Sequence, residues 1–529
     1  MKLKRKEEQL SQDWQLLEKG RDYNRRINLY DTVNKNERFW RGDQWNGVNS
    51  GGLPTPVFNI FKRVISYFVS NIMSAKIALK IDAESAGVIY KKEVRDDLVR
   101  VSNLLTSYLN YRFEKDNVTS LLYDGVRDAA ISGDMFLYVY WDREKKTLQD
   151  YTGDFVTKLL DNTNVFFGDV NTTDIQSQPY ILISGRDLVE NLKEEARQNG
   201  ISEEDIAKIV SDSDYDTQSG DGAENELADT KCTYVIKLFR KNSTIFYQKS
   251  TKSCVITKEI DTRLTLYPLA LMNWDKTKNS YHGTAAATGL IENQVYINKA
   301  FAMVMKHMIN VSFSKVVYNS NLIDEWTNEV GEAIAVNGSI DNVAEVLSPG
   351  VMQSGFLDVI TLTMNLTREL MGATDAALGN VEATNTSAII ALQESSALPL
   401  EIQKRALYSA VEQLGMIWLD YILHYYDRYR MLVWRDEDIL RGSMMDVSLY
   451  GDVIFSCNVK AGMTGYYSEV ASLNTLENLL KNGLITLEQY LERLPEGYIA
   501  SKEALIEDCR RLEAERKEEL NNAKSQRDF

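Results

Sequence analysis

Residues 284–309 read TAAATGLIENQVYINKAFAMVMKHMI and form the most informative segment of the chain. Apolar residues recur every three or four positions, which predicts an amphipathic helix with two neighbouring apolar faces. One face holds Ile291, Val295, Asn298, Ala302, Met305 and Ile309, and the other holds Leu290, Ile297, Phe301, Val304 and Met308. We expect both faces to be buried, which would place the helix among neighbouring helices.

The remaining side of this helix carries a polar line. Glu292, Lys299 and Lys306 are spaced at intervals of seven residues. Side chains at this spacing lie above one another along a helix. The line either faces water or lines a channel, and the spacing favours neither.

The segments after this helix alternate between short β patterns and helix. Residues 311–350 form an insert with predicted strands at Ser314–Tyr318 and Ala333–Val336. A return helix runs from Ser354 to Met371. The next segment, residues 372–387, is rich in Gly, Ala, Thr and Asn and has no positive charge, which is typical of an exposed loop. Helix then resumes, is bent or broken at Pro399, and ends near Arg430.

The N-terminal half mixes helices and strands. A charged helical stretch over residues 4–38 has an apolar stripe at Leu10, Trp14 and Leu17, and a helical pattern over residues 87–132 falls into two pieces. A continuous apolar run, Met135–Trp141, predicts a strand covered on both faces. Two further β-rich runs, residues 232–240 and 253–260, are separated by turn-prone polar residues. The predicted class is therefore α+β and mainly helical.

The C-terminal part continues this pattern. A strand is predicted over residues 453–460. Thr486 and Gln489 make a capping box at the start of a later helix. The end of the chain is helical and dominated by Glu, Arg and Lys.

Composition limits the class of protein. The chain has 529 residues, 44% of them hydrophobic, and a formal net charge of −16. Such a composition is that of a globular protein with a large core, and its charge disfavours wrapping of nucleic acid. The four cysteines form no framework, which favours a reducing compartment. Glu7 and Glu8 interrupt any signal sequence, and charges within residues 57–81 disfavour a membrane span.

No catalytic signature is found in the sequence. The chain lacks a P-loop, a dinucleotide fingerprint and a nucleophile elbow. Its three histidines, His282, His307 and His424, have no shared ligand spacing and are expected to be structural. Asp212, Asp214 and Asp216 imitate a calcium loop, but the glycine and closing glutamate positions hold Thr217 and Ala223. We expect no enzyme activity, no cofactor and no metal site.

An aromatic turn precedes the first proline-rich loop. Trp40-Arg41-Gly42-Asp43-Gln44-Trp45 is followed by Pro54, Pro56 and Asn59, and Asn59 is a candidate helix cap. The turn is either a base-stacking platform or a packing element, and the second interpretation fits better because only Arg38 and Arg41 accompany it.

The order of these features resembles that of a portal protein of a tailed bacteriophage, the head-to-tail connector. The resemblance rests on the aromatic turn, the helix Thr284–Ile309, the β insert, the return helix, the loop and the Pro399-bent helix. It implies a portal-like fold in which residues 1–270 and 388–460 form the wing and residues 461–529 form the crown. Between the two parts of the wing, the stem helix covers residues 271–310, the clip 311–350, the return helix of the stem 351–371 and the tunnel loop 372–387.

The resemblance also implies a mechanical function. Such proteins form a ring, typically a dodecamer, that nucleates head assembly at the capsid vertex and passes double-stranded DNA during packaging and ejection. The implied partners are the major capsid protein, scaffolding protein, the terminase large subunit and a head-tail adaptor, with assembly in the host cytoplasm and no membrane contact. Expected DNA-facing loop residues are Thr374, Asn380, Glu382, Thr384 and Asn385, and expected channel-lining stem residues are Glu292, Lys299 and Lys306.

Two other classes remain open from the sequence. One is a metal-dependent nuclease or hydrolase that uses dispersed carboxylates. The other is an oligomeric virion scaffold protein without a DNA channel. A ring with a hole wide enough for duplex DNA distinguishes the portal from both.

Overall fold

The structure is a computed structural model. It describes residues 11–84, 92–147, 152–212, 230–312, 315–327, 333–341, 343–347, 355–370, 372, 398–426, 430–436, 439–444, 446–451, 453–461, 466–494, 505, 506, 508 and 511. The helices are α1 (Gln12–Arg26), α2 (Leu29–Arg41), α3 (Ile60–Ile72), α4 (Lys92–Lys115), α5 (Val118–Ser132), α6 (Val189–Gln198), α7 (Glu203–Ile206), α8 (Ala286–Ser312), α9 (Gly355–Leu370), α10 (Glu401–Tyr425), α11 (Tyr466–Lys481) and α12 (Leu487–Arg493).

The strands are β1 (Ile77–Ala83), β2 (Asp134–Lys146), β3 (Thr152–Leu160), β4 (Val165–Phe167), β5 (Tyr180–Leu188), β6 (Lys231–Lys241), β7 (Thr244–Thr251), β8 (Val255–Asp261), β9 (Leu269–Asn273), β10 (Lys315–Tyr318), β11 (Ala344–Leu347), β12 (Met431–Asp436), β13 (Ile439–Met444) and β14 (Phe455–Ala461). The mixed α and β content agrees with the predicted α+β class. The chain divides into a large unit, residues 1–72 and 79–459, and a small unit, residues 73–78 and 460–529.

Two antiparallel sheets form the framework of the large unit. One has the strand order β3-β2-β9, and the other has the order β4-β5-β6-β7-β8. The side chains from Asp134 to Val139 of β2 are buried, because β2 is central and covered on both faces. The strand predicted from its apolar run is therefore confirmed.

Strand β7 lies where the sequence predicts a polar turn. Its polar side chains are satisfied by partners that are distant in sequence: Lys249 Nζ lies 2.6 Å from Glu195 Oε2 on α6, and Ser250 donates to Asp13 Oδ2 of α1 at 3.2 Å. Buried polar groups are tolerated in a strand when such partners exist. The hydrophobic pattern of the sequence does not reveal such distant partners, so it does not predict β7.

The charged N-terminal stretch is two helices rather than one. Asn28, with φ 58°, separates α1 from α2, and Asn117, with φ 50°, separates α4 from α5 in the same way. Asn enters the left-handed region more readily than most residues. The predicted division of residues 87–132 into two helices is confirmed.

Helix α1 lies on the five-stranded sheet. Trp14 and Leu17 of the predicted stripe are buried against Phe166, Leu182 and Val235. The carboxylate of Asp13 is buried and accepts from Lys237 Nζ at 3.0 Å. An apolar contact and a charged contact thus fix α1 in place.

Helix α10 packs on the three-stranded sheet. Trp418 is fully buried and donates from Nε1 to Thr157 Oγ1 at 2.9 Å, and Tyr421 donates to the carbonyl of Val139 at 3.1 Å. The helix begins at Glu401, just after a short 3-10 turn that contains Pro399. The part predicted before Pro399 falls largely outside the described residues.

The small elements test three further predictions. Strand β10 pairs antiparallel with residues 344–347, so the predicted strand at Ser314–Tyr318 is confirmed and the one at Ala333–Val336 is wrong. Pairing decides between two segments of similar β propensity.

In the small unit, Thr486 and Gln489 form the predicted capping box of α12. None of the described helices is long and apolar enough to span a membrane.

A glycine contact tests the docking of α1. A Cβ at Gly20 would lie 2.6 Å from Cδ1 of the buried Phe166 ring, whereas a Cβ at Gly355 on α9 would meet nothing within 4 Å. We expect Gly20→Ala to lower the free energy of unfolding by about 1–3 kcal/mol through overpacking. Gly355→Ala is the control and should be neutral or slightly stabilising, because Ala favours helix over Gly. Equal thermal unfolding temperatures for the two variants would contradict this packing.

Candidate functional site

The carboxylate of Asp134 is the centre of a buried polar cluster at the start of α8. It is 1% exposed and accepts four hydrogen bonds. His282 Nδ1 lies 2.6 Å from Oδ2, and the backbone N–H of Gly283 donates to Oδ1 at 2.7 Å. Asn273 donates to Oδ1 at 2.8 Å and Asn162 to Oδ2 at 3.2 Å. The donors come from β9, from the turn after β3 and from the segment before α8, so one carboxylate joins three parts of the chain.

His282 connects this cluster to α1. Its ring is 3% exposed, and Nε2 lies 3.3 Å from Oδ1 of the fully buried Asn24. Tyr281 stacks on Phe167 with ring centroids 4.6 Å apart, and its hydroxyl donates to the carbonyl of Val165 at 3.1 Å. The residues just before α8 are thus held by α1 and β4. This histidine is structural, as expected.

Two glycines allow the close approach on which the cluster depends. Gly133 has φ 103°, and a Cβ there would lie 2.6 Å from the carbonyl oxygen of Gly283. A Cβ at Gly283 would lie 2.8 Å from the carbonyl oxygen of Asp275. Only glycine fits both positions without displacing backbone. The segment before α8 therefore contacts β2 and β9 directly through backbone.

A second polar network holds the first half of α8. Gln294 and Asn298 are each 2% exposed, and Asn298 Nδ2 donates to Gln44 Oε1 at 2.7 Å. Gln294 donates to the carbonyl of Phe58 at 2.7 Å and accepts from the N–H of Phe61 at 3.0 Å. Asn298, which the helical pattern assigned to an apolar face, is thus a polar anchor between α8 and the aromatic turn.

The aromatic turn packs within the large unit. Phe39 is buried with its ring 6.1 Å from that of Phe61, and Trp45 Nε1 donates to the carbonyl of Pro56 at 2.8 Å. Asn59 Oδ1 accepts from the N–H of Lys62 at 2.9 Å and so caps α3 as predicted. These contacts favour the packing interpretation of the turn.

The second half of α8 differs from the first. Leu290, Ile291 and Ile297 are buried, but Met305, Met308 and Ile309 are 39%, 58% and 45% exposed. The expectation that both apolar faces are buried along the whole helix is therefore wrong for the single chain. The physical reason is that the hydrogen bonds from α2 and α3 reach the first half, from Asn36 to Thr288 and from Phe61 to Gln294, whereas α9 lies along one side of the second.

Helix α9 is exposed along much of its length. Ile360 and Thr367 are buried, whereas Val359, Leu362 and Leu366 are 48%, 56% and 46% exposed. A cavity of about 280 Å³ lies between the two helices, lined by Tyr296, Ala300 and Met303 of α8 and by Phe356, Val359 and Ile360 of α9. The helix pair thus leaves apolar surface on both sides.

The polar line of α8 is exposed. Glu292, Lys299 and Lys306 all lie at the surface, and Glu292 Oε1 forms an ion pair with Lys35 Nζ at 3.3 Å. The loop residues Thr374, Asn380, Glu382, Thr384 and Asn385 lie outside the described residues. Gly372 is described, and a Cβ there would lie 3.3 Å from Pro399, so the two ends of the segment 373–397 lie close together.

The described residues contain no group of three or more His, Cys, Asp or Glu that could hold a metal ion. Asp212 instead accepts from the N–H of Thr233 at 2.7 Å and from Arg186 at 3.1 Å. Burial raises the pKa of Cys232 to about 12 and that of Cys457 to about 12, which keeps both thiols protonated and unreactive. Asp214 and Asp216 lie outside the described residues.

A buried charge network, which no sequence pattern indicated, connects α4, β3 and the end of α10. Arg112 forms ion pairs with Asp154 and, at 2.7 Å, with Asp116. Tyr426 donates to Asp154 Oδ1 at 2.8 Å and contacts the hydroxyl of Tyr108 at 2.9 Å. Burial alone would raise the pKa of Asp154, but the Arg112 guanidinium, the Tyr426 hydroxyl and Arg430 together outweigh it and hold that pKa below its usual range. The network is structural.

Removal of the Asp134 carboxylate is expected to be strongly destabilising. Asp134→Ala removes the acceptor of four hydrogen bonds, and each buried donor left unsatisfied costs about 1–3 kcal/mol in the free energy of unfolding. Asp134→Asn keeps one acceptor oxygen and should fall between Ala and the natural residue. Urea denaturation measures the effect, with Asp22→Ala at an exposed α1 position as control. A loss below about 1 kcal/mol for Asp134→Ala, the worth of a single ordinary hydrogen bond, would contradict the central role of this carboxylate.

His424 predicts a pH-dependent contribution to stability. A hydrogen bond to Asp420, with Nδ1 3.1 Å from Oδ1, raises the pKa of His424 above its usual 6.5. The stabilising contribution is therefore complete below pH 6.5 and is lost as the pH rises through the folded-state pKa. His424→Gln should cost up to about 1 kcal/mol more near pH 5.5 than near pH 8.5, because the pair is partly exposed. Thermal unfolding at both pH values measures this, and a pH-independent cost would contradict it.

A protein-family model matches part of the chain. The phage P22-like portal protein family matches residues 201–452, a little under half of the chain. The match includes α8, α9 and α10. No curated protein matches the chain. The resemblance to tailed-phage portal proteins is thus confirmed over residues 201–452, and the match supports a structural role for this chain as a phage portal protein.

Proposed function

We propose that this protein forms a closed ring around a channel through which double-stranded DNA enters the phage head and later leaves it. The observation that carries the proposal is the exposed apolar surface of α8 and α9. Portal proteins as a family are homo-oligomeric rings of the capsid vertex. The exposed surface explains how such a ring would be held together.

The apolar strip of α8 extends beyond its partners in the chain. The side that α3 and α5 cover in the first half of the helix continues as Met305, Met308 and Ile309. At about 100° per residue, this strip lies on the opposite side of α8 from Ala300 and Met303, which line the cavity beside α9. Burial of such side chains stabilises an interface by about 1.5–3 kcal/mol each. The strip therefore fits a second copy of the chain.

Helix α9 offers a second and different strip. Val359, Leu362 and Leu366 succeed one another along one side of α9, turned away from the buried side chains of Ile360 and Thr367. The two strips differ in sequence and lie on different helices. A contact between two unlike surfaces is called heterologous. Repeated heterologous contacts form a closed ring when the rotation between successive copies adds up to one full turn.

Within such a ring the polar residues have a proposed place. Residues 271–310 and 351–371 form the stem, and Glu292, Lys299 and Lys306 face the channel or the solvent. Residues 372–387 form the tunnel loop with Thr374, Asn380, Glu382, Thr384 and Asn385 toward DNA. Residues 1–270 and 388–460 form the wing, 311–350 the clip and 461–529 the crown. The low positive charge near the channel would limit adhesion of DNA.

The clip supplies the proposed docking surface for partners. Strands β10 and β11 are exposed, with Val317, Val346 and Leu347 at 54%, 59% and 52%. Exposed apolar side chains of this kind mark interaction surfaces. We assign this surface to the terminase large subunit during packaging and to a head-tail adaptor afterwards. The major capsid and scaffolding proteins would contact the ring during head assembly in the host cytoplasm.

A charge in the α9 strip should prevent ring formation. Leu362→Glu places a carboxylate in the proposed interface, whereas Thr361→Glu, at the next residue, places it on the polar side of α9. Mass photometry should show a large species for the natural protein and for Thr361→Glu, near twelve copies of the 60.3 kDa chain, roughly 720 kDa. Leu362→Glu should remain at 60.3 kDa with an unchanged thermal unfolding temperature.

Electron microscopy of the same samples tests the channel. Rings with a central hole wide enough for duplex DNA support the proposal. Large species without a hole would favour a scaffold protein of the virion. Metal-dependent cleavage of DNA by a monomer or dimer would favour the hydrolase alternative.

A further inference from the structure

Helix α3 presents a basic face in an acidic protein. Its sequence, residues 60–72, contains no Asp or Glu, although the chain as a whole carries a net charge of −16. Lys62, Arg63, Ser66 and Ser70 are all exposed and lie on the side opposite the buried residues. We call these four residues the α3 basic face.

The two cations of this face are not neutralised by neighbouring carboxylates. Within the described part of the chain, Arg63 forms no ion pair, and Lys62 contacts only the ring of Trp40, at 5.2 Å. Some exposed arginines elsewhere are paired, as Arg25 is with Asp22 at 3.0 Å and Arg100 with Asp97 at 2.9 Å. Unpaired cations on one helix face form a local positive potential that is available to an external anion.

The end of α2 lies beside this face and carries both signs of charge. Arg38 and Arg41 lie close to Trp40 in sequence, and Glu37 interacts electrostatically with Arg41. Trp40 is joined to the start of α3 through its carbonyl, which accepts from Asn59 Nδ2 at 3.5 Å. Asp43 lies next at the surface and accepts from Asn46 at 3.3 Å. The two arginines and the two acids Glu37 and Asp43 leave this segment without net charge, so the positive charge of the face comes from Lys62 and Arg63.

The face is held rigidly. Phe61, Val64, Ile65, Phe68 and Ile72 on the other side of α3 are buried. The first N–H groups of the helix are already satisfied by side-chain oxygens of Gln294 and Asn59. Binding of an anion here would therefore depend on the side chains of the face rather than on the helix N-terminus.

We propose that the α3 basic face binds the phosphate backbone of duplex DNA. Its exposed side chains are cations and hydroxyls, which are typical donors to phosphate oxygens. The exposed apolar side chains nearest in sequence, Val57 and Phe58 at 41% and 43%, precede the helix. Contacts of this kind carry no sequence information. The proposal relies on the proposed DNA channel only for the source of the DNA, and binding can be measured independently of it.

The test compares two double variants of the full chain. Lys62→Gln with Arg63→Gln removes the cations of the face, and Lys404→Gln with Arg405→Gln removes the same charge from the surface of α10. Fluorescence anisotropy with a labelled duplex of about 30 base pairs gives the Kd at several salt concentrations. We expect the α3 variant to weaken binding about tenfold at low salt and to reduce the slope of log K against log salt by about 1.8, since two phosphate contacts are lost. The α10 variant should leave both unchanged.

Three results would overturn the proposal. The natural protein shows no measurable binding to the duplex, the two double variants weaken binding equally, or the α3 variant binds as the natural protein does. Mass photometry of each variant separates this failure from failure of the proposed ring. Loss of the large species by the α3 variant with unchanged DNA affinity would assign the face to a contact between copies.

Discussion

The buried carboxylate of Asp134 is the interaction on which the arrangement of the large unit depends. A carboxylate removed from water is stable only when hydrogen bonds replace its hydration. Here three amide or backbone N–H groups and the ring of His282 do so. Because those donors come from separate segments, the energetic requirement of one group determines where β9, the turn after β3 and the start of α8 must lie.

Helix α8 extends from this fixed starting point. Its first half has its partners in the same chain, through apolar contacts and through Gln294 and Asn298. Its second half continues the same apolar pattern, and within the described part of the chain Met305, Met308 and Ile309 remain exposed. Helix α8 is therefore fixed at its N-terminal half and exposed at its C-terminal half. This is expected of a helix whose exposed apolar side chains are buried by another subunit in an assembly.

Charge is distributed unevenly over this molecule. The net charge of −16 disfavours tight adhesion of DNA, whereas α3 carries two exposed cations, Lys62 and Arg63, on one rigid face. Long-range repulsion and local attraction are compatible, because salt screens charges beyond about 10 Å. The proposed DNA channel and the proposed contact of α3 with DNA require both.

The sequence by itself determined the helices with strong periodicity, the apolar strand β2, the capping box of α12, the family resemblance and the absence of catalytic signatures. These depend on local patterns, which record backbone preference and the burial of contiguous faces. Only the tertiary structure showed that β7 is a strand, that β11 lies at residues 344–347, and that Asp134, His282 and Asn24 come together. The partners of these residues are distant along the chain. In the sequence alone, a buried polar residue cannot be distinguished from a surface residue, because its hydrogen-bond partner is not known. The prediction for the second half of α8 failed for the complementary reason: periodicity reports that a face will be buried but not whether the same chain or another copy covers it.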